Sequence, residues 1–73
     1  MQWNLIITRK EKGLNQVEVA KILNISADAY GMKERGQLQF KADEMFLLSD
    51  YFGKPIEQIF LSTNFGNAEQ RVN

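Results

Sequence analysis

Seventy-three residues carrying nine lysines and arginines against nine aspartates and glutamates make a formally neutral chain, 44% hydrophobic and 25% charged. A chain of that length holds one small domain that buries roughly 60% of its unfolded surface, and the composition is that of a folded globular protein rather than a disordered segment. The absence of both cysteine and histidine removes disulfides, the usual zinc sites, thiol chemistry and the commonest general base, so an enzyme is not expected.

In chain order, the segment Gln2 to Lys12 predicts a first helix whose apolar residues Trp3, Leu5, Ile6 and Ile7 cluster in its first half, with Gly13 as the stop. Asn15 supplies an N-cap and Glu18, three residues on, gives the spacing of a capping box. The second helix then runs over about 15–23, with Val19, Ala20, Ile22 and Leu23 as its apolar face. Asn24 suits the left-handed conformation of a tight turn, and Ser26 caps a third helix that Gly36 ends after about Arg35. A loop from Gln37 to Lys41 leads to a fourth helix over about 42–52, where Met45, Leu48 and Phe52 form a stripe and Gly53 is the stop. Pro55 fits the first turn of a short fifth helix carrying Ile56, Ile59 and Phe60. Residues 62–73 lack periodicity and read as a flexible tail after a domain spanning 1–61. The expected fold class is therefore all-α, with five helices.

No apolar run approaches the ~20 residues that span a bilayer. Arg9, Lys10, Glu11 and Lys12 arrive too soon after Met1 for a secretory signal, and the cytoplasm is the expected compartment. Zero net charge argues mildly against a polyanionic partner, but the charges are unevenly placed. Residues 1–41 carry seven basic groups against four acids, and residues 42–73 carry two against five. A dipolar molecule of this kind can turn a basic face toward DNA while staying neutral in total, although such asymmetry also arises by chance in short chains.

Two short helices joined by a tight turn are common, so the detailed residues must carry the argument. Ala20 is small where two crossing helices need close approach, and Val19, Leu23, Ile25 and Tyr30 are apolar where such a pair faces its own core. Together with Arg9, Gly13, Leu14, Gln16, Glu34 and Gly36, this stretch resembles the Xre family, the helix-turn-helix repressors that include phage Cro and repressor N-terminal domains. The resemblance covers roughly residues 3–60 and is most specific in Lys12-Gly13-Leu14-Asn15-Gln16, Glu34-Arg35-Gly36 and Ile56-Glu57-Gln58-Ile59-Phe60. Tyr30 through Phe40 is similar to a subgroup frequent in prophages of low-GC Gram-positive bacteria.

The resemblance implies a lambda-repressor-like fold with the helix-turn-helix at the second and third helices, and a transcriptional regulator binding operator DNA as a homodimer. It implies that Gln16 contacts the DNA backbone and an outer base, and that Ala27, Asp28 and Met32 face base edges in the major groove. Ala27 and Met32 can touch a thymine methyl and Asp28 can accept from a cytosine amino group, but none of the three is the bidentate donor that favours guanine. Lys33, Arg35, Gln37, Gln39 and Lys41 match the region where relatives grip phosphate. Arg9 and Glu34 match an ion pair that ties the first helix to the end of the third.

Each of these residues also has a plainer reading. Gln16 can be a polar first-turn residue, Asp28 a helix-dipole partner and Gly31 a tolerated weak point in a helix rather than a clearance for DNA. The basic run can be an ordinary solvated face. Lys33 occupies a place that is usually apolar, although the prophage subgroup tolerates lysine there, and the third helix seats normally only if the lysine stem packs and its ammonium snorkels outward. Lys41 is a weak cap for the fourth helix. Dimer contacts are sought among Ile56, Phe60, Leu61 and Phe65, or in Trp3, Ile6 and Ile7, with core burial the alternative for Ile56 and Phe60. No cofactor, metal, membrane or small-molecule partner is expected. The alternative function is a protein-interaction module of the same fold, antirepressor-like or antitoxin-like, with little DNA binding of its own.

Overall fold

A computed structural model describes residues 1–60 of the chain and shows five helices: α1 (Trp3–Glu11), α2 (Gln16–Leu23), α3 (Ala27–Arg35), α4 (Ala42–Phe52) and α5 (Ile56–Ile59). The sequence reading of residues 62–73 as a tail, and of Leu61 and Phe65 as dimer contacts, lies outside the described residues. Local chemistry explains the boundaries. Asn15 Oδ1 accepts from the Glu18 backbone at 2.8 Å while Glu18 Oε1 accepts from the Asn15 backbone at 2.8 Å, which satisfies two otherwise orphaned donors at the start of α2. Asn24 ends that helix at φ 61°, ψ 43°, a left-handed conformation that asparagine tolerates better than most residues. Its successor Ile25 bonds back to the Ala20 carbonyl at 3.0 Å, and Ser26 Oγ caps α3 by accepting from Ala29 at 3.0 Å. Gly36, at φ 86°, closes α3 where a side chain would be strained.

The core is Leu5, Val19, Ala20, Leu23, Tyr30, Leu48, Phe52, Ile59 and Phe60, with Phe40 stacked edge-on between Tyr30 and Phe60 at centroid distances of 6.1 and 5.0 Å. Phe60 is thus a core residue and not a free dimer contact. In α1 the expected apolar cluster divides. Leu5, Thr8 and Arg9 share the buried face at spacings of three and four residues, whereas Trp3 and Ile7 stand two positions to either side of Leu5 and point outward. Helices α2 and α3 pack closely on each other, α1 packs on α3 and α5, and α4 closes the core against α2 and α5. This arrangement holds α3 at one side of the molecule with its inner face committed.

One expectation about α3 is corrected, and the weak Lys41 cap of α4 is offset by a neighbour. The Lys33 ammonium does not snorkel outward and is not among the cations open to phosphate. It donates to Glu44 Oε1 at 2.7 Å and to the Gln39 carbonyl at 3.3 Å, lies 5.7 Å from the centre of the Phe40 ring, and leaves both partners of the ion pair only 9% exposed. A carboxylate buried on α4 at the end of the lysine stem is the reason, because withdrawing the ammonium would strand that charge. The start of α4 is also better satisfied than Lys41 suggests. Although the Lys41 side chain caps nothing, Glu44 Oε1 accepts from the Lys41 backbone at 2.9 Å.

Lys33→Met is expected to destabilise the fold by about 3 kcal/mol, because it strands a buried carboxylate. Adding Glu44→Gln, which keeps an acceptor for the Lys41 backbone, is expected to recover most of the loss. Urea unfolding of the single and double variants measures both steps; equal stability of Lys33→Met and the parent would show that the pair holds nothing.

Candidate nucleic-acid interface

Glu34 sits near the C-terminal end of α3 at 2% exposure, and its carboxylate is the point where the first three helices meet. Arg9 on α1 donates Nε to Oε2 at 2.6 Å and Nη2 to Oε1 at 3.3 Å, and its remaining nitrogen reaches the Leu14 carbonyl at 3.1 Å in the α1–α2 connection. Gln16 Nε2, at the start of α2, donates to Oε1 at 2.9 Å, and the Tyr30 hydroxyl donates to Oε2 at 2.8 Å. The Glu34 backbone carbonyl accepts from Gln2 at 2.8 Å. The Arg9 and Glu34 side chains are 10% and 3% exposed, so this is a buried pair whose lone pairs and donors are met.

Burial alone would push the Glu34 carboxyl up, but hydrogen bonds from Arg9, Gln16 and Tyr30 and the arginine charge outweigh it and hold the group below the ordinary carboxylate value. The hydrogen bond to Glu34 raises the Arg9 guanidinium against the opposing effect of its own burial. Burial first, then the bond it donates to Glu34, pushes the Tyr30 phenol well above its usual range.

This hub fixes the inner face of α3 and so fixes what its outer face presents. Asp28 is exposed and Ala27 and Met32 are half-buried; with Gly31, Arg35, Gln37 and Gln16 they line a shallow open groove. Because an anionic carboxylate has no donor, the Gln16 amide nitrogen must face Glu34, which turns Oε1 toward the groove. Gln37, Gln39 and Lys41 are exposed along the loop leading to α4. Arg35 departs from that loop set. Its Nε and Nη2 both donate to Gln37 Oε1 at 3.3 Å, and its Nη1 lies beside Gly31 on the groove side. Among the described residues no group of three carboxylates stands close enough to hold a metal ion, and no helix is long and apolar enough to cross a membrane.

Sequence reasoning missed three partners in this region. The Tyr30 hydroxyl and the Gln16 amide belong to the hub, and Glu44 receives Lys33. A signal existed for the first, since Tyr30 and Glu34 are four apart on a helix and therefore neighbours. The other two are contacts between helices that no local spacing encodes.

Two helices crossing at a left-handed asparagine, the second bearing a committed inner face and an outer face that lines an open groove, define a helix-turn-helix DNA-binding domain of the lambda-repressor-like all-α fold. The family model described as Helix-turn-helix matches residues 5–59, and the chain belongs to that family, the Xre and Cro-like transcriptional regulators. No curated protein and no solved structure matches the chain.

The shifts at Glu34 and Tyr30 carry a pH signature. A depressed carboxyl contributes stability above its unfolded value near 4.5 and loses it as pH falls through the lower folded value. A raised phenol contributes stability up to its unfolded value near 10.0 and loses it above. The unfolding free energy is therefore expected to fall on both sides of a plateau from about pH 5 to about pH 9. Glu34→Gln is expected to flatten part of the acid limb; an acid limb identical to that of the parent would place Glu34 outside the pair.

Proposed function

We propose that this chain is a sequence-specific transcriptional repressor of the phage or prophage kind, acting in a bacterial cytoplasm by occupying an operator with α3 in the major groove. The observation that carries this reading is the groove along the outer face of α3, where exposed Asp28 and Arg35 flank half-buried Ala27 and Met32 beside the outward-turned Gln16 carbonyl, with the inner face held by the Glu34 hub. In this reading Ala27, Asp28, Met32 and Gln16 read base edges, while Gln37, Gln39 and Lys41 grip phosphate and set register. Arg9 and Glu34 are scaffold.

The length of α3 supports action as a homodimer. Its nine residues rise ~13 Å, enough to cover only a few base pairs, whereas two copies spaced about 34 Å apart read a near-palindrome. The second reading is a protein-interaction module of the same fold, favoured by the formal charge of zero and by the lack of any side-chain donor at Ala27, Gly31 and Met32.

Salt separates the two readings, because phosphate contacts release counterions and a protein partner does not require that. Binding to a duplex selected from random sequence is expected to weaken steeply between 50 and 200 mM salt, conditions over which several phosphate contacts cost roughly a thousandfold. Asp28→Ala is expected to change the preferred duplex, with about 1–3 kcal/mol of discrimination lost at one position. Lys41→Ala is expected to weaken all duplexes alike and reduce the salt slope by about one. Equal, sequence-blind losses from both variants would remove this division of roles.

A further inference from the structure

The outer face of α3 as read from sequence lacks a donor for guanine, yet the groove it forms contains one. Side chains on a helix lean toward its N-terminus, and residues four apart share a face. A long side chain at Arg35 therefore lies back over position 31. That position is glycine, and the Arg35 Nη1 comes within 3.2 Å of the point where a β-carbon would stand, with Gln16 Oε1 3.5 Å from the same point. A β-carbon at 31 would meet the guanidinium at 3.2 Å and require it to shift by a few tenths of an ångström, and a longer side chain would require more. Gln37 braces the side chain by accepting from Nε and Nη2, both at 3.3 Å. Among the described residues Nη1 makes no hydrogen bond, which leaves the Nη1 edge of the fork toward the groove.

We infer that Arg35 is a specificity-determining residue of this protein, entering the major groove over Gly31 to donate to O6 and N7 of one guanine in each half-site. The inference rests on the DNA-binding reading and deepens it. Arg35 is the cation in the groove lining; the other groups there are the Asp28 carboxylate, the Gln16 and Gln37 amides and the apolar Ala27 and Met32. A phosphate contact needs only positive charge at the rim, whereas this guanidinium is turned inward along α3 and oriented by an amide, an arrangement suited to bidentate recognition. Gly31 admits the arginine, and Gln37 positions it.

Selection from random duplexes, with the parent, Arg35→Ala, Arg35→Lys and Gly31→Ala compared on the same library, tests this. Thermal melting confirms that each variant is folded. The parent is expected to prefer guanine at one defined position per half-site. Arg35→Ala and Arg35→Lys are both expected to lose that preference by roughly 5- to 100-fold, the worth of a bidentate base contact, with the other positions unchanged. Gly31→Ala is expected to weaken the preference at that same position only, and to have no such effect when Arg35 is already alanine. A uniform loss across sequences in Arg35→Ala, rescued by lysine, would overturn the inference and leave the DNA-binding reading intact. Failure of the parent to select any duplex would overturn both.

Discussion

The Glu34 carboxylate accepts four hydrogen bonds, two from Arg9 and one each from Gln16 and Tyr30, while standing almost wholly out of water. Burying a charge in so small a protein is costly unless every lone pair is met. Here the donors come from α1, from the start of α2 and from α3 itself, so the carboxylate is satisfied only when all three helices are in place. A surface ion pair of the same chemistry would contribute little. This one links the correct position of the recognition helix to the integrity of the core, because losing any donor leaves part of a buried charge unmet.

The same hub divides α3 into two faces with different tasks. Tyr30, Lys33 and Glu34 turn inward, to the core, to Glu44 on α4 and to the Arg9 cluster. Asp28, Met32 and Arg35 line the groove on the other side, with Gly31 between them buried beneath the Arg35 and Gln16 side chains. The neutral total charge does not describe this outer surface. Arg9 and Lys33 are spent on buried carboxylates, and several of the remaining acids, Asp43, Asp50 and Glu57, lie on α4 and α5 rather than on α3. Gln16 belongs to both systems, with its nitrogen on the hub and its oxygen toward the groove. In the proposed reading, a residue that braces the scaffold and lines the groove at once has its acceptor oriented before any contact is made, which lowers the ordering cost of binding.

Much of the fold was legible in the sequence because its punctuation is local. Asn15 with Glu18, Asn24, Ser26 and Gly36 each satisfy backbone groups within a few residues of themselves, and the five helices fall within about two residues of where those signals place them. The alternation of inside and outside in α1 was less clear, since four apolar residues crowd one turn and only the three-dimensional neighbours decide that Leu5 goes in and Trp3 stays out. Lys33 was misjudged for a related reason. A lysine at an apolar position is a puzzle until a buried glutamate eleven residues later is seen to receive it. The Arg35 path over Gly31 was partly written in the four-residue spacing, but its direction depends on Gln37 and Gln16, which the fold brings together.

The most direct measurement is a crystal structure of the protein on a duplex it has selected. If the account is right, the Arg9–Glu34–Gln16 geometry is preserved, α3 lies in the major groove with Asp28 and Met32 against base edges, and two copies contact half-sites about one helical turn apart. A complex in which α3 faces solvent or another protein chain, or in which the Glu34 cluster has come apart on binding, would contradict it.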